Sequence, residues 1–150
     1  MKDKQLALIP GNDDIVGYWL TPPSLYEKLN AEFHFDFDPC PFPRPDGFNG
    51  LYERWIGKSC YVNPPFEKGN RWINKAIKEW RKGDKTIVLV VPVKRDMLNL
   101  VKVGAELRPL TNVGWLDPRG RQTKSEWPTI LAILRPQNLT VKPDKEMRKP

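Results

Sequence analysis

The sequence predicts an α/β domain in which a largely parallel sheet carries helices on both faces. Three observations predict it. Residues 86–91, Thr-Ile-Val-Leu-Val-Val, form a continuous apolar run, the pattern of a strand covered on both sides rather than one. Residues 59–62, Ser-Cys-Tyr-Val, read as a second short buried strand. Between them Ile73, Ala76, Ile77 and Trp80 recur at helical spacing, while Arg71, Asn74, Lys75, Lys78, Glu79 and Arg81 populate the other faces and Gly83 supplies a stop. A strand, a helix of this length and a second strand form a right-handed crossover, which makes that pair of strands parallel.

The remaining elements follow in order. Residues 1–14 are polar and end in a cluster of turn formers, Pro10-Gly11-Asn12-Asp13-Asp14, so a flexible lead-in is expected. At Thr21-Pro22-Pro23-Ser24 a hydroxyl can cap a helix and proline suits its first turn, which predicts a short helix over 23–31 with Leu25, Tyr26 and Leu29 as its apolar stripe. Phe33, Phe35 and Phe37 alternate with His34, Asp36 and Asp38, the period of a strand. Residues 39–50 hold four prolines and two glycines and must be a loop, and ordered loops of that length are usually functional. After 86–91 come a short helix near 97–103 and strands near 110–116 and 129–134, separated by the basic, turn-rich Asp117-Pro118-Arg119-Gly120-Arg121. The domain is therefore placed at 15–135, followed by a polar tail at 136–150 expected to be disordered.

Composition narrows the partner. The chain has 150 residues, enough for one domain that buries roughly 68–70% of its unfolded surface. Its 25 Lys and Arg against 18 Asp and Glu leave a net charge of +7, which favours a polyanionic partner. Cys40 and Cys60 lack C-x-x-C spacing and His34 is the single histidine, so no metal site or Cys/His nucleophile pair is indicated. With no signal-peptide pattern and no run of 18 apolar residues, a soluble, cytoplasmic protein with no membrane association is expected.

In open α/β sheets ligands bind beyond the carboxyl ends of the strands, and three segments end there: Asp38-Pro39, Asn63-Pro64-Pro65-Phe66 and Pro92. The middle one resembles the Asn/Asp-Pro-Pro-Tyr/Phe motif of amino methyltransferases, which implies a loop that binds an amine. An exocyclic amine on a nucleobase is a poor nucleophile because its lone pair is delocalised, and two fixed acceptors on its N–H groups localise that pair. The Asn63 side-chain oxygen and the Pro64 carbonyl would be those acceptors, held extended by the two prolines. Phe66 offers an aromatic face to an extruded base.

The arrangement of Trp19-Leu20-Thr21-Pro22-Pro23, Phe35-Asp36-Phe37-Asp38-Pro39, Tyr61-Val62-Asn63-Pro64-Pro65-Phe66, Trp72 and Val90-Val91-Pro92 resembles the compact phage-type DNA N-6-adenine methyltransferases, the Dam-like family, over roughly residues 17–135. The resemblance implies a minimal Rossmann-like sheet of the S-adenosylmethionine-dependent methyltransferase kind. It implies S-adenosylmethionine as cofactor, held by Trp19, Thr21, Pro22 and Asp38, with DNA as partner and Asn63, Pro64, Pro65 and Phe66 as the catalytic loop. No metal is required, and a phage-encoded enzyme would act in the bacterial host's cytoplasm. Arg95, Arg119, Arg121 and Lys124 are the leading candidates for DNA contacts, with Arg44, Arg54, Lys68, Arg71 and Lys94 beside them. The chain departs from the family in lacking a Gly-x-Gly loop after its first strand and in ending Asn-Pro-Pro in Phe rather than Tyr. Methylation of cytosine, of an RNA base or of a protein glutamine, and an inactive DNA-binding derivative, stay open as alternatives.

Overall fold

The computed structural model describes residues 19–122 and 128–137. The lead-in expected at 1–14 and almost all of the expected tail lie outside the described residues, as does Lys124. Among the described residues three α-helices, α1 (Pro23–Phe33), α2 (Gly69–Trp80) and α3 (Leu98–Lys102), and four strands, β1 (Ser59–Val62), β2 (Thr86–Pro92), β3 (Glu106–Leu110) and β4 (Thr129–Leu134), carry the fold, with short 3-10 turns at Phe66–Lys68 and Arg95–Met97. Among the described residues no helix is long and apolar enough to cross a membrane.

The strands form one sheet in the order β1, β2, β4, β3. β1 and β2 are parallel, with Val62 opposite Leu89, as the intervening α2 requires. The other two pairings are antiparallel, which corrects the expectation of a largely parallel sheet to a mixed one. β4 slots between β2 and β3 and runs against both. Only β1 and β2 are joined through a full-length helix; β2 and β3 are linked by the short α3, and β4 separates them instead of letting them pair. Pro109 is tolerated within β3 because β3 lies at the sheet edge.

Side-chain alternation along the strands divides the core in two. Cys60, Val62, Ile87, Leu89, Val91, Ala132 and Leu134 face Trp72, Ile73, Ala76 and Ile77 of α2 and Leu100 of α3. Tyr61, Val88, Val90, Leu131 and Ile133 face Leu29 and Phe33 of α1, together with Trp115. Helices therefore do cover both faces, and the unbroken apolar run of β2 is buried on both sides, each such side chain contributing about 1.5–3 kcal/mol.

Two expected strands do not form where their sequence patterns place them. α1 continues to Phe33 because His34 adopts a left-handed conformation (φ 52°), its N–H capping the Asn30 carbonyl while Asn30 Oδ1 accepts from the Phe35 amide at 2.8 Å. The alternating phenylalanines then leave only Phe37 to bridge, in parallel, to Cys60. Likewise the expected strand at 110–116 is replaced by β3 ending at Leu110; Asn112 has positive φ, and Leu116 makes isolated bridges to Leu20 and Gln122.

The loop at 39–57 is pinned to both neighbouring segments. A Cβ on Gly50 would stand 1.8 Å from the Pro39 carbonyl oxygen, so only glycine lets the loop return onto the strand end. Asp36 Oδ1 accepts from the amides of Lys58 and Ser59 at 3.0 and 2.9 Å, fixing the entry to β1. Glu79, expected on a polar face of α2, is only 1% exposed. It accepts from the Trp55 amide at 2.9 Å and pairs with Lys82 at 2.6 Å and Lys75 at 3.2 Å. Burial opposes its ionisation, but these partners prevail and hold its carboxyl below the ordinary range.

Candidate active site at the strand ends

Parallel pairing brings the site together. The Tyr61 amide donates to the Phe37 carbonyl at 3.0 Å, so the strand-end residues Asp38 and Asn63 emerge at the same edge of the sheet. Leu20 bridges Leu116 through two backbone bonds of 2.7 and 3.0 Å, which holds the Trp19–Thr21 segment beside them.

Asn63 is the centre of the arrangement. Its Nδ2 donates to the Trp19 carbonyl at 2.6 Å and to Thr21 Oγ1 at 3.2 Å. A carbonyl can only accept, so this contact fixes which end of the amide faces Trp19. The other end, Oδ1, is buried and has no hydrogen-bond partner among the described residues. A buried unsatisfied acceptor costs about 1–3 kcal/mol. Pro64 and Pro65 are buried behind it. Phe66 is 5% exposed and opens a short turn in which the Lys68 amide bonds the Pro65 carbonyl, so its ring is covered in this conformation.

Thr21 does not cap α1. The N-cap is Pro22, whose carbonyl accepts from Leu25 and Tyr26, and no side chain caps the helix. The Thr21 hydroxyl instead bonds the Tyr61 hydroxyl as well as Asn63. Burial raises Tyr61 well above the ordinary tyrosine range, with the Thr21 bond opposing, so the phenol stays protonated. Tyr61 was not singled out in the sequence because a tyrosine inside a short apolar strand reads as core, which its ring also is, packed against Tyr26 and Phe35.

Asp38 has an open path to solvent yet is ringed by protein, and this crowding pushes its carboxyl from 3.8 to about 6, against the pull of the Cys40 amide on Oδ1 at 2.8 Å. The access to water limits how far crowding suppresses its ionisation. Oδ2 has no partner among the described residues.

Of the expected DNA contacts, Arg95 is exposed in the turn after β2, and Arg119 is exposed beyond the Leu20–Leu116 bridge. Arg121 is 70% exposed but is held by Asp117 at 2.8 Å, which offsets its charge. Cys40 and Cys60 are buried, and among the described residues no group of three or more His, Cys, Asp or Glu could hold a metal ion.

The family described as DNA N-6-adenine-methyltransferase (Dam) matches residues 12–99, more than half of the chain. The chain belongs to that family. No curated protein sequence matches it significantly. The Dam match spans Trp19, Thr21, Pro22, Asp38, Asn63 to Phe66 and Arg95, and stops short of Arg119 and Arg121. Membership in the Dam family supports adenine N6-methylation of DNA as the general activity.

Proposed function

We propose that the protein transfers a methyl group from S-adenosylmethionine to the exocyclic amine of adenine in DNA, after the base is extruded from the duplex. The observation that carries this reading is Asn63: one end of its amide is anchored by Trp19 and Thr21, and the other end is a buried acceptor without a donor. An adenine amine is a donor that would satisfy it.

Asn63 Oδ1 takes one N–H of the amine and the Pro64 carbonyl takes the other, which localises the nitrogen lone pair. The acceptors are held in advance, so little reorganisation is left for the reaction itself. Phe66 stacks on the base once the 66–68 turn opens to uncover its ring.

The residues present suit the cofactor. Asp38 offers an unpaired carboxylate oxygen in a crowded recess, the acceptor that a ribose hydroxyl requires, and Gly50 allows a second backbone segment to close on Pro39 beside it. Trp19 and Pro22, whose segment is held at Asn63 through the Trp19 carbonyl, would supply further cofactor contacts. When bound, S-adenosylmethionine supplies an electrophilic sulfonium methyl group. Asp38 and the Trp19–Pro22 segment orient it, and the catalytic loop presents the amine.

The test is mass spectrometry of nucleosides from unmethylated DNA incubated with the protein and S-adenosylmethionine. N6-methyladenine is the expected product. Methylcytosine alone, or no methylated nucleoside with a folded protein, would overturn the reading.

A further inference from the structure

A cleft of about 490 Å³ lies between α2 and α3, away from Asn63. Lys78 and Arg81 stand on one bank and Lys102 on the other, with Asn74 and Asn99 between them over a floor that includes Ile77. No carboxylate lines it.

The charges on α2 are sorted. Lys75 and Lys82 are committed to the buried Glu79. Lys78, Arg81 and Lys102 have no ion-pair partner among the described residues. Asn99 Nδ2 donates to Asn74 Oδ1 at 3.4 Å, a weak bond that ties the two banks while leaving amide hydrogens available.

The stripe continues towards the catalytic end. Arg71, Asn74, Lys78 and Arg81 follow one another at intervals of three, four and three residues, which is a single helix face. At 1.5 Å per residue the stripe from 71 to 81 is about 15 Å long, comparable with about four base-pair steps of duplex. Its first member, Arg71, lies in the opening turn of the helix that follows the Asn63 loop. Arg71 Nη2 donates to the hydroxyl of the exposed Tyr52 at 2.8 Å.

From this geometry we infer that the α2–α3 cleft is a track for the DNA phosphate backbone, with Lys78, Arg81 and Lys102 as its cations and Arg71 joining it to the catalytic loop. The inference rests on the proposed action on DNA and assigns where the duplex is held. It also moves the main electrostatic contact away from the Asp117–Arg121 turn, where Asp117 already pairs with Arg121.

The experiment is titration of a labelled duplex with the full chain at several salt concentrations. The proteins compared are wild type, Lys78→Gln, Arg81→Gln, Lys102→Gln, the triple variant, and Lys28→Gln on α1, which packs on the opposite face of the sheet. Each groove substitution should flatten the log–log salt slope by about 0.9, and the triple variant by about 2.7. Lys28→Gln should change it far less. A triple variant that keeps a steep wild-type slope overturns the track while leaving DNA as substrate. The same holds if Lys28→Gln flattens the slope as much as a groove substitution. A wild-type slope near zero removes the track and the DNA reading together.

Discussion

The amide of Asn63 reaches back 42 residues to donate to Thr21 Oγ1 at 3.2 Å, and the same hydroxyl bonds Tyr61, two residues before Asn63. A strand end and the entry to a helix are thereby locked by one shared oxygen. Orientation of the Asn63 amide then depends on residues outside its own loop.

Substitution of Asn63 should separate chemistry from folding. Asn63→Ala removes the unpaired Oδ1 together with the two Nδ2 bonds to Trp19 and Thr21; relief of the first, worth about 1–3 kcal/mol, offsets loss of the others, about 0.5–1.5 kcal/mol each, so stability should stay within about 2 kcal/mol of wild type. Turnover should fall by at least about 100-fold, corresponding to about 2.7 kcal/mol of transition-state stabilisation. Thermal denaturation and single-turnover methylation measure the two effects. Turnover within a few-fold of wild type would return Asn63 to a structural role.

Thr21→Val should lower turnover by about tenfold with little change in KM for DNA, because Asn63 Nδ2 keeps the Trp19 carbonyl but loses its second restraint. Thr21→Ser should restore most of it. Tyr61→Phe should have the smaller effect, since it leaves the Thr21–Asn63 bond intact. Steady-state kinetics on the three variants decide the order; equal losses in Thr21→Val and Thr21→Ser would remove the hydroxyl from the argument.

Asp38 gives a pH prediction. Its carboxyl is raised to about 6, so the folded protein binds its proton more tightly than the unfolded chain. Stability contributed by this group is present at low pH and falls as pH rises from about 4 to about 6. Asp38→Asn should therefore raise Tm at pH 8 relative to wild type and leave it nearly unchanged at pH 4. The same variant should weaken S-adenosylmethionine binding, and wild-type affinity should decline as pH drops through about 6. Calorimetry across pH 5–8 would show a flat wild-type profile if the ionised carboxylate is not a cofactor contact.

Glu79→Gln should destabilise the fold by about 2–3 kcal/mol, as it strips the charge that holds Lys75, Lys82 and the Trp55 amide. Because the Glu79 carboxyl is held below its ordinary value, the stability it adds is present near neutrality and is lost as pH falls through the acid range. Urea unfolding at pH 7 is the measurement. A loss below about 0.5 kcal/mol would show that the 39–57 loop is anchored by other contacts.

How much of this was readable in the sequence depends on the range of the forces involved. β1, α2 and β2 were legible because burial on both faces and helical spacing are written in consecutive residues. The Asn63 loop was legible because proline rigidity is local. The pairing of Thr21 with Tyr61 was not, since nothing within either segment marks a contact 40 residues away. Glu79 looked like one more polar helix position; its flanking lysines at 75 and 82 were the available signal, and burial gave them their meaning. The strand read at 33–38 failed at His34, where a left-handed residue extends α1 and uses up the first half of the alternation. Sheet direction failed for a different reason, because the placement of β4 between β2 and β3 is a tertiary choice.

That placement bears on how the protein is made. Of the four described strands β4 is the last to be synthesised, yet it stands inside the sheet and gives β2 its second neighbour. Until Thr129–Leu134 emerges, β2 has a bare edge of apolar residues, the kind of surface on which nascent chains associate wrongly. The Asn63 loop and its partner on β1 are synthesised long before, but the described sheet around them closes only once β4 has emerged. Synthesis halted before residue 129 would release a chain that carries every residue of the candidate site and lacks the strand that completes its scaffold.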